Sequence, residues 1–193
     1  MIGILGAYLR QRCSLRVFAP VVGVLTALAC WTTASPLVSA VAGRAAMLTI
    51  GIVILLRVWD DIEDRGSDRV AHPDRVLPQH SVRVFLTLQA VLAGGLTGVL
   101  LWSGSRDAAL GLLGLVAAAC LAYRVVRPRL NAAAWPYVLL LKYPATVAVV
   151  AQACGRPRPG RLLTAMLLTY AGACAYEELH TRIRRPHSSG VTA

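Results

Sequence analysis

The feature that most constrains this chain is a series of six apolar segments, each about as long as a bilayer-crossing helix, for which roughly 20 residues suffice. They cover residues 17–38, 41–59, 82–102, 108–126, 136–154 and 162–178. No alternation typical of strands and no repeated motif interrupts them. The sequence therefore predicts an all-α, polytopic transmembrane helix bundle with about six spans. One domain is expected over residues 1–185, followed by a disordered tail at 186–193.

Charge is distributed in the way that orients a membrane protein. The net charge is +11, and Lys142 is the only lysine. The arginines lie in the gaps between apolar segments rather than on one stripe, which favours a membrane protein over a nucleic-acid-binding protein. With six spans, the most basic connectors fall on one side, and residues 156–161 are the exception. We expect an integral protein of the cytoplasmic membrane, with both termini and the acidic loop in the cytoplasm, and a short interfacial helix before the first span.

Acidic residues are concentrated at the end of the second apolar segment, where six of the nine lie between Asp60 and Asp74. Asp61, Asp64 and Asp68 share one face of a helix, Asp60 adjoins Asp64 at i+4, and Gly66 is expected to loosen or end that helix. Carboxylates at the mouth of a membrane helix suggest a functional site, and hard oxygen ligands suit Mg²⁺. A solvated charge run balanced by neighbouring arginines is the alternative.

Residues 59–78 read WDDIEDRGSDRVAHPDRVLP. This segment resembles the first Asp-rich motif of the UbiA superfamily of intramembrane prenyltransferases, Asn-Asp-x-x-Asp-x-x-x-Asp. Asp60 stands at the Asn position, and Asp61, Asp64 and Asp68 match the three Asp positions. The resemblance implies a UbiA-like fold and a membrane enzyme that binds a prenyl diphosphate through Mg²⁺, with these four residues as catalytic and metal-binding groups.

The resemblance also implies roles for residues elsewhere in the chain. Glu177 and Glu178, at the end of the sixth segment, stand where the family has its second metal motif, although an interfacial charge pair is an equal alternative. The implied diphosphate-binding residues are Arg69, Arg75, Arg124, Arg127 and Lys142. Orientation of the membrane helices is the alternative role for the arginines, and Lys142 can instead extend its ammonium group to the membrane surface.

Family members usually have nine membrane helices, whereas this sequence has six apolar segments. Three explanations would account for the difference. A further subunit, such as a second copy in a homo-oligomer, could complete the cavity; the chain could be a compact form of the fold; or its activity could be degraded. The expected reaction is prenyl transfer to an aromatic or other lipophilic acceptor. A terpene cyclase and an inactive membrane partner protein remain alternatives. A CDP-alcohol phosphotransferase is disfavoured, because Arg65 follows Asp64 where that family needs glycine.

Overall fold

The computed structural model describes residues 2–33 and 39–184. The protein is 87% helical. Within the described ranges, β-type pairing is limited to one isolated bridge between Thr33 and Pro157. The all-α prediction is confirmed, and the predicted tail at 186–193 lies outside the described residues. The α-helices, in chain order, are α1 (Ile2–Arg12), α2 (Leu15–Thr32), α3 (Ser39–Glu63), α4 (Arg65–Ala71), α5 (Val76–Gln79), α6 (Val82–Trp102), α7 (Arg106–Leu121), α8 (Trp135–Leu140), α9 (Lys142–Cys154) and α10 (Pro159–Arg184).

Five helical stretches among the described residues are long and apolar enough to cross a membrane. The prediction of membrane-spanning helices is confirmed in this sense. The sixth predicted segment lies within α10, which is helical throughout but less apolar than the other five. The five stretches are Leu15–Thr32, Ala40–Glu63, Val82–Trp102, Arg106–Arg129 and Trp135–Cys154.

Helix α9 forms the centre of the bundle and contacts α2, α3, α7 and α10. Its Val147, Val150 and Ala151 are fully buried and belong to the main apolar cluster. Small and β-branched side chains at these positions let four helices approach α9 closely, as is common in membrane bundles. Residues carried by α9 are therefore held in fixed positions relative to α3 and α7.

The first helix is fastened to the end of the bundle where α3 ends. Tyr8 of α1 is 1% exposed and packs edge-on against Phe85 of α6, with ring centroids 5.3 Å apart. Gln11 accepts a hydrogen bond from the backbone N–H of Val76 at a distance of 2.9 Å. Helix α1 is thus docked across α5 and the start of α6, with its polar residues directed towards the acidic segment.

The helix that carries the acidic segment bends at Asp64. Helix α3 ends at Glu63 and α4 begins at Arg65, while Asp64 has φ −88° and ψ 0°, between the two. The N–H groups of Asp64 and Asp68 still bond the carbonyls four residues earlier, each at 2.9 Å, so the chain bends rather than stops. Gly66 was expected to loosen or end the helix, but the irregularity lies two residues earlier, at Asp64, and Gly66 itself lies inside α4.

Two proline-associated irregularities shape the neighbouring helices. Helix α7 continues as a π-helical turn over Ala122–Val126, just before Pro128, which has no N–H to extend a regular helix. In the fifth span, α8 and α9 meet at Leu141, and Pro144 leaves the carbonyl of Leu140 without its i+4 donor. The π-turn and this interruption place Tyr123 and Lys142 beside the end of α3. Such π-turns are frequent at functional sites.

Candidate functional site

Asp61 is the most buried carboxylate of the acidic segment, with 2% of its surface exposed. Tyr8 donates a hydrogen bond to its Oδ2 at 2.7 Å, and the Nε of Arg12 donates to the same oxygen at 2.8 Å. A second nitrogen of Arg12 contacts Oδ1, so the guanidinium grips the carboxylate with two hydrogen bonds. Arg57, one turn earlier in α3, lies 3.3 Å from Oδ1. Four donor contacts therefore satisfy a carboxylate that would be costly to bury alone.

Arg12 also links Asp61 to Asp68. Its Nη2 lies 3.7 Å from Oδ2 of Asp68, whose Oδ1 is paired with Arg75. The guanidinium of Arg12 therefore lies between two carboxylates that are seven residues apart in sequence. Arg12 comes from α1, 49 residues before Asp61, so this contact depends on the docking of the N-terminal helix.

Ionisation at this contact is shifted by burial and by Asp61. Burial raises the pKa of Tyr8, and the charge and hydrogen bond of Asp61 raise it further. Burial lowers the pKa of Arg12, but its hydrogen bond to Asp61 and the charge of that carboxylate outweigh this, so the pKa rises overall. Tyr8 is consequently a neutral hydrogen-bond donor and Arg12 a cation at physiological pH.

Asp60 faces the opposite side of the site, towards α7 and α9. Tyr123, in the π-turn, donates a hydrogen bond to its Oδ1 at 2.7 Å, and Lys142 forms an ion pair with Oδ2. The side chains of Lys142 and Asp60 are 15% and 16% exposed. The ring of Tyr123 packs edge-on against Trp135. The pair is therefore largely removed from water and is supported by neighbouring aromatic packing.

Asp64 shares this side of the site and is the most accessible of the four aspartates. It pairs with Arg127 at 2.9 Å, and the side chains of Arg127 and Asp64 are 37% and 42% exposed. The guanidinium of Arg127 also lies 5.5 Å from the ring centroid of Tyr123. The four aspartates thus divide into two pairs. Asp61 and Asp68 face α1 and α5, whereas Asp60 and Asp64 face α7 and α9.

Cations outnumber carboxylates in this network. The four aspartates pair with five basic side chains, namely Arg12, Arg57, Arg75, Arg127 and Lys142. The expected group of clustered acids is therefore a mixed ion-pair network with an excess of one positive charge.

The remaining predicted site residues lie outside this network. Arg69 and Arg124 are exposed and form no ion pair with any described residue. Glu178 accepts hydrogen bonds from Tyr137 at 3.1 Å and from Arg182 at 2.9 Å, and Glu177 is half-buried. Tyr137 precedes Lys142 in the fifth span, so Glu178 lies at the same end of the bundle as the acidic segment. The metal-binding role of the two glutamates stays a prediction.

Two clefts flank the Asp60–Lys142 pair. The first, which we call the mixed cleft, has a volume of about 480 Å³. Charged and polar residues of α1 and α3, including Arg12 and Arg57, line it together with apolar residues of α2 and α3, including Phe18 and Leu56. The second, the apolar cleft, measures about 550 Å³ and lies mainly between α7 and α9. Asp60 and Lys142 line both clefts. An ion pair thus stands where a cleft with charged and apolar walls meets a cleft that is almost wholly apolar. Both volumes fall within the range of ligand sites.

The donor set suits Mg²⁺ in chemistry, although cations hold the carboxylates. Among the described residues, no three His, Cys, Asp or Glu side chains are grouped closely enough to hold one metal ion. Mg²⁺, however, commonly uses one or two carboxylates together with substrate phosphate oxygens. Asp61 and Asp68, which share Arg12, and Asp60 and Asp64, one helical turn apart, each offer such a pair. Metal binding would require a basic side chain to exchange its carboxylate for another partner.

Sequence reasoning missed three residues of the site: Tyr8, Arg12 and Arg57. Tyr8 and Arg12 are four residues apart, as are Arg57 and Asp61, so each pair shares a helical face. That spacing is a usable signal for two donors on one side of α1. It does not identify Asp61 as their partner, because the contact spans 49 residues or more.

Comparisons of the chain with protein-family models, with curated proteins and with solved structures found no match. The fold and the site define an all-α protein with helices fit to span a membrane and a partly buried ion-pair network at one end of its bundle.

Proposed function

We propose that this protein is a Mg²⁺-dependent membrane enzyme that acts on a prenyl diphosphate and transfers the prenyl group to a lipophilic acceptor. The observation that carries this proposal is the position of Asp60 and Lys142 on the shared wall of the two clefts. A prenyl diphosphate has a highly charged head and an apolar tail. A site for it needs cations and carboxylates next to an apolar space, which is the arrangement around this pair.

The apolar cleft is suited to the tail. Its wall on α7 combines the small residues Gly114 and Ala118 with Leu115. Trp59 and Tyr123 lie nearer the Asp60 end. A Cβ added at Gly114 would meet nothing within 4 Å, so this part of α7 leaves room for a chain. The apolar lining excludes water from a reactive allylic cation. The ring faces of Trp59 and Tyr123 can stabilise positive charge.

The charged residues are suited to the head. Lys142 and Arg127 lie next to Asp60 and Asp64 and would bind diphosphate oxygens. Mg²⁺ held by aspartate pairs would supply further positive charge to the leaving group. The allylic C–O bond breaks, and its electron pair stays on the diphosphate oxygen. A nucleophilic atom of the acceptor then bonds the allylic carbon and releases its proton.

The test is turnover by the purified protein with geranyl, farnesyl or geranylgeranyl diphosphate, with and without Mg²⁺. We expect Mg²⁺-dependent release of pyrophosphate and a product heavier by one prenyl group in the mass spectrum of the organic extract. A hydrocarbon or terpene alcohol would instead identify a cyclase. Asp64→Ala should abolish turnover while leaving the fold intact, because the Asp64 side chain is 42% exposed. Asp74→Ala, an exposed acid of the same segment, is the matched control.

One observation favours a second candidate, a membrane partner protein without activity. Each of the four aspartates already has a basic partner in the chain, so the network is complete without a ligand. A protein of this kind would fold stably, bind neither Mg²⁺ nor pyrophosphate and release no product from any donor. Unchanged pyrophosphate levels with all three donors would favour it.

A further inference from the structure

The apolar cleft has charged residues towards one end and is closed at the other. Asp60 and Lys142 form the ion pair of the charged part. From this pair the cleft runs along α9 to Gln152 and along α7 to Gly111. At that far end, a Cβ added to Gly111 would lie 3.2 Å from a methyl of Val149 and 3.4 Å from Oε1 of Gln152. The side chain of Gln152 therefore reaches from α9 to α7 and closes the cleft.

Nearer the ion pair, the same two helices leave space between them. A Cβ added to Gly114, about one helical turn from Gly111, would meet nothing within 4 Å. The small side chains of Ala118 on α7 and of Ala145 and Ala148 on α9 also line this part of the cleft. The cleft is thus open along its length and shut where Gly111 meets α9.

The length of the cleft can be compared with that of a prenyl tail. Lys142 and Gln152 lie on the same helix, and the rise of about 1.5 Å per residue separates them by about 15 Å along its axis. A carbon chain advances about 1.3 Å per bond, as the extended polypeptide does, so the four chain bonds of an isoprene unit span about 5 Å. Three isoprene units therefore fit between Lys142 and Gln152, and a fourth does not.

We propose that Gln152 sets the length of the tail, so that the apolar cleft accepts a farnesyl chain of three isoprene units and excludes a fourth. This inference rests on the proposed function and names the prenyl donor. The diphosphate lies beside Asp60 and Lys142, the tail lies between α7 and α9, and its last unit lies against the side chain of Gln152. A fourth unit would have to displace that side chain from Gly111.

Affinity should rise with tail length only as far as this wall. Between Lys142 and Gln152, the residues of α9 that line the cleft are Ala145, Ala148 and Val149, all of them apolar. Each isoprene unit that lies against them buries further apolar surface, which favours binding in proportion to the area covered. A unit beyond Gln152 finds no cleft to fill, so the gain ends with the third unit.

The first measurement is the binding of geranyl, farnesyl and geranylgeranyl S-thiolodiphosphates to the purified protein in the presence of Mg²⁺. Sulfur replaces the bridging oxygen in these analogues and slows cleavage of the bond to the allylic carbon, so binding is read without turnover. The geranyl analogue should bind about tenfold or more weakly than the farnesyl analogue, because it lacks the third unit. The geranylgeranyl analogue should bind no more tightly than the farnesyl analogue.

Substitutions of Gln152 test whether its side chain is the wall. Gln152→Ala removes the wall and should raise the affinity for the geranylgeranyl analogue about tenfold relative to the farnesyl analogue. Gln152→Met keeps a side chain of similar length without the amide, so it should still exclude the fourth unit. The two variants together separate the bulk of this side chain from its polarity.

A second substitution shortens the cleft from α7. Gly114→Leu fills open space at the level of the third unit, so it should weaken binding of the farnesyl analogue about tenfold and leave that of the geranyl analogue unchanged. Gly98→Leu is the matched control, because Gly98 is also in open space but lines neither cleft. It should match the unchanged protein with all three analogues.

The outcomes separate this inference from the proposed reaction. Tightest binding of the geranyl or geranylgeranyl analogue, or the same preference in the unchanged protein and Gln152→Ala, would overturn the length selection and leave the enzyme proposal standing. A farnesyl preference that depends on Gln152, in a protein that turns over none of the three diphosphates, would support the length selection and reject the reaction. Binding of none of the analogues would reject both.

Discussion

The ion pair between Asp60 and Lys142 is expected to be strongly coupled. Its side chains are 16% and 15% exposed, and beyond Lys142 the only described hydrogen bond to the Asp60 carboxylate comes from Tyr123. Replacing Lys142 with methionine leaves a largely buried carboxylate without its cation, which should reduce the free energy of unfolding by about 3–5 kcal/mol. Asp60→Asn leaves an uncompensated ammonium beside the apolar cleft and should cost about as much.

The double variant decides whether the pair itself is responsible. Removing both charges leaves no uncompensated ion, so Asp60→Asn with Lys142→Met should be only about 1–2 kcal/mol less stable than the unchanged protein. Independent effects would instead add, giving a loss of about 6 kcal/mol or more.

The assay is equilibrium unfolding in detergent micelles, monitored by circular dichroism, for the four proteins of this cycle. Arg182→Met is the matched control, because its ion pair with Glu178 is exposed and should be worth about 0.5 kcal/mol or less. Additive losses from the two single variants would refute the coupling and, with it, the claim that the pair forms a charged wall between the two clefts.

Two further predictions concern stability. Tyr8 has a raised pKa, so its contribution is complete below the pKa of an unfolded tyrosine, about 10, and falls as the pH rises above it. Above pH 10, the free energy of unfolding of the unchanged protein should therefore fall by about 1.4 kcal/mol per pH unit more than that of Tyr8→Phe. Parallel plots of unfolding free energy against pH for the two proteins would contradict this. Gly51 allows α3 to approach α6, since an added Cβ would lie 2.7 Å from a methyl of Leu96. Gly51→Leu should lower the thermal midpoint and reduce the free energy of unfolding by about 1–3 kcal/mol. Gly43→Leu, in open space on the same helix, should have little effect. Equal effects of the two substitutions would show that the contact with Leu96 is not tight.

The sequence predicted the helices because their signal is local. A run of about 20 apolar residues is sufficient to indicate a spanning helix wherever its neighbours lie. Five of the six predicted segments coincide with helices fit to span a membrane, while the sixth lies in the less apolar α10. The sequence indicates an irregularity at Gly66, because glycine is the usual local signal for a helix end. In the structure it is instead the backbone of Asp64 that departs from helical angles.

The candidate site was predicted only in part, because its partners come from distant segments. Asp60 and Lys142 were both proposed as site residues, but their pairing across 82 positions was not foreseen. Nothing local marks Arg12 as the partner of Asp61. Arg10 and Arg16 are arginines in the same basic N-terminal stretch, so the sequence does not single out Arg12. Only the docking of α1 against α5 and α6 distinguishes it.

The central position of α9 has a consequence for biogenesis. Because the chain is synthesised from its N-terminus, α2, α3 and α7 emerge from the ribosome before α9, and α10, the fourth helix packed against α9, emerges after it. Until α9 is made, these helices can form only part of the bundle. At that stage Asp60 can bond Tyr123 but has no contact with Lys142. The fifth span, which includes α9, would fill the space between these helices and neutralise Asp60 in one step. Completion of the bundle is therefore expected late in translation rather than helix by helix.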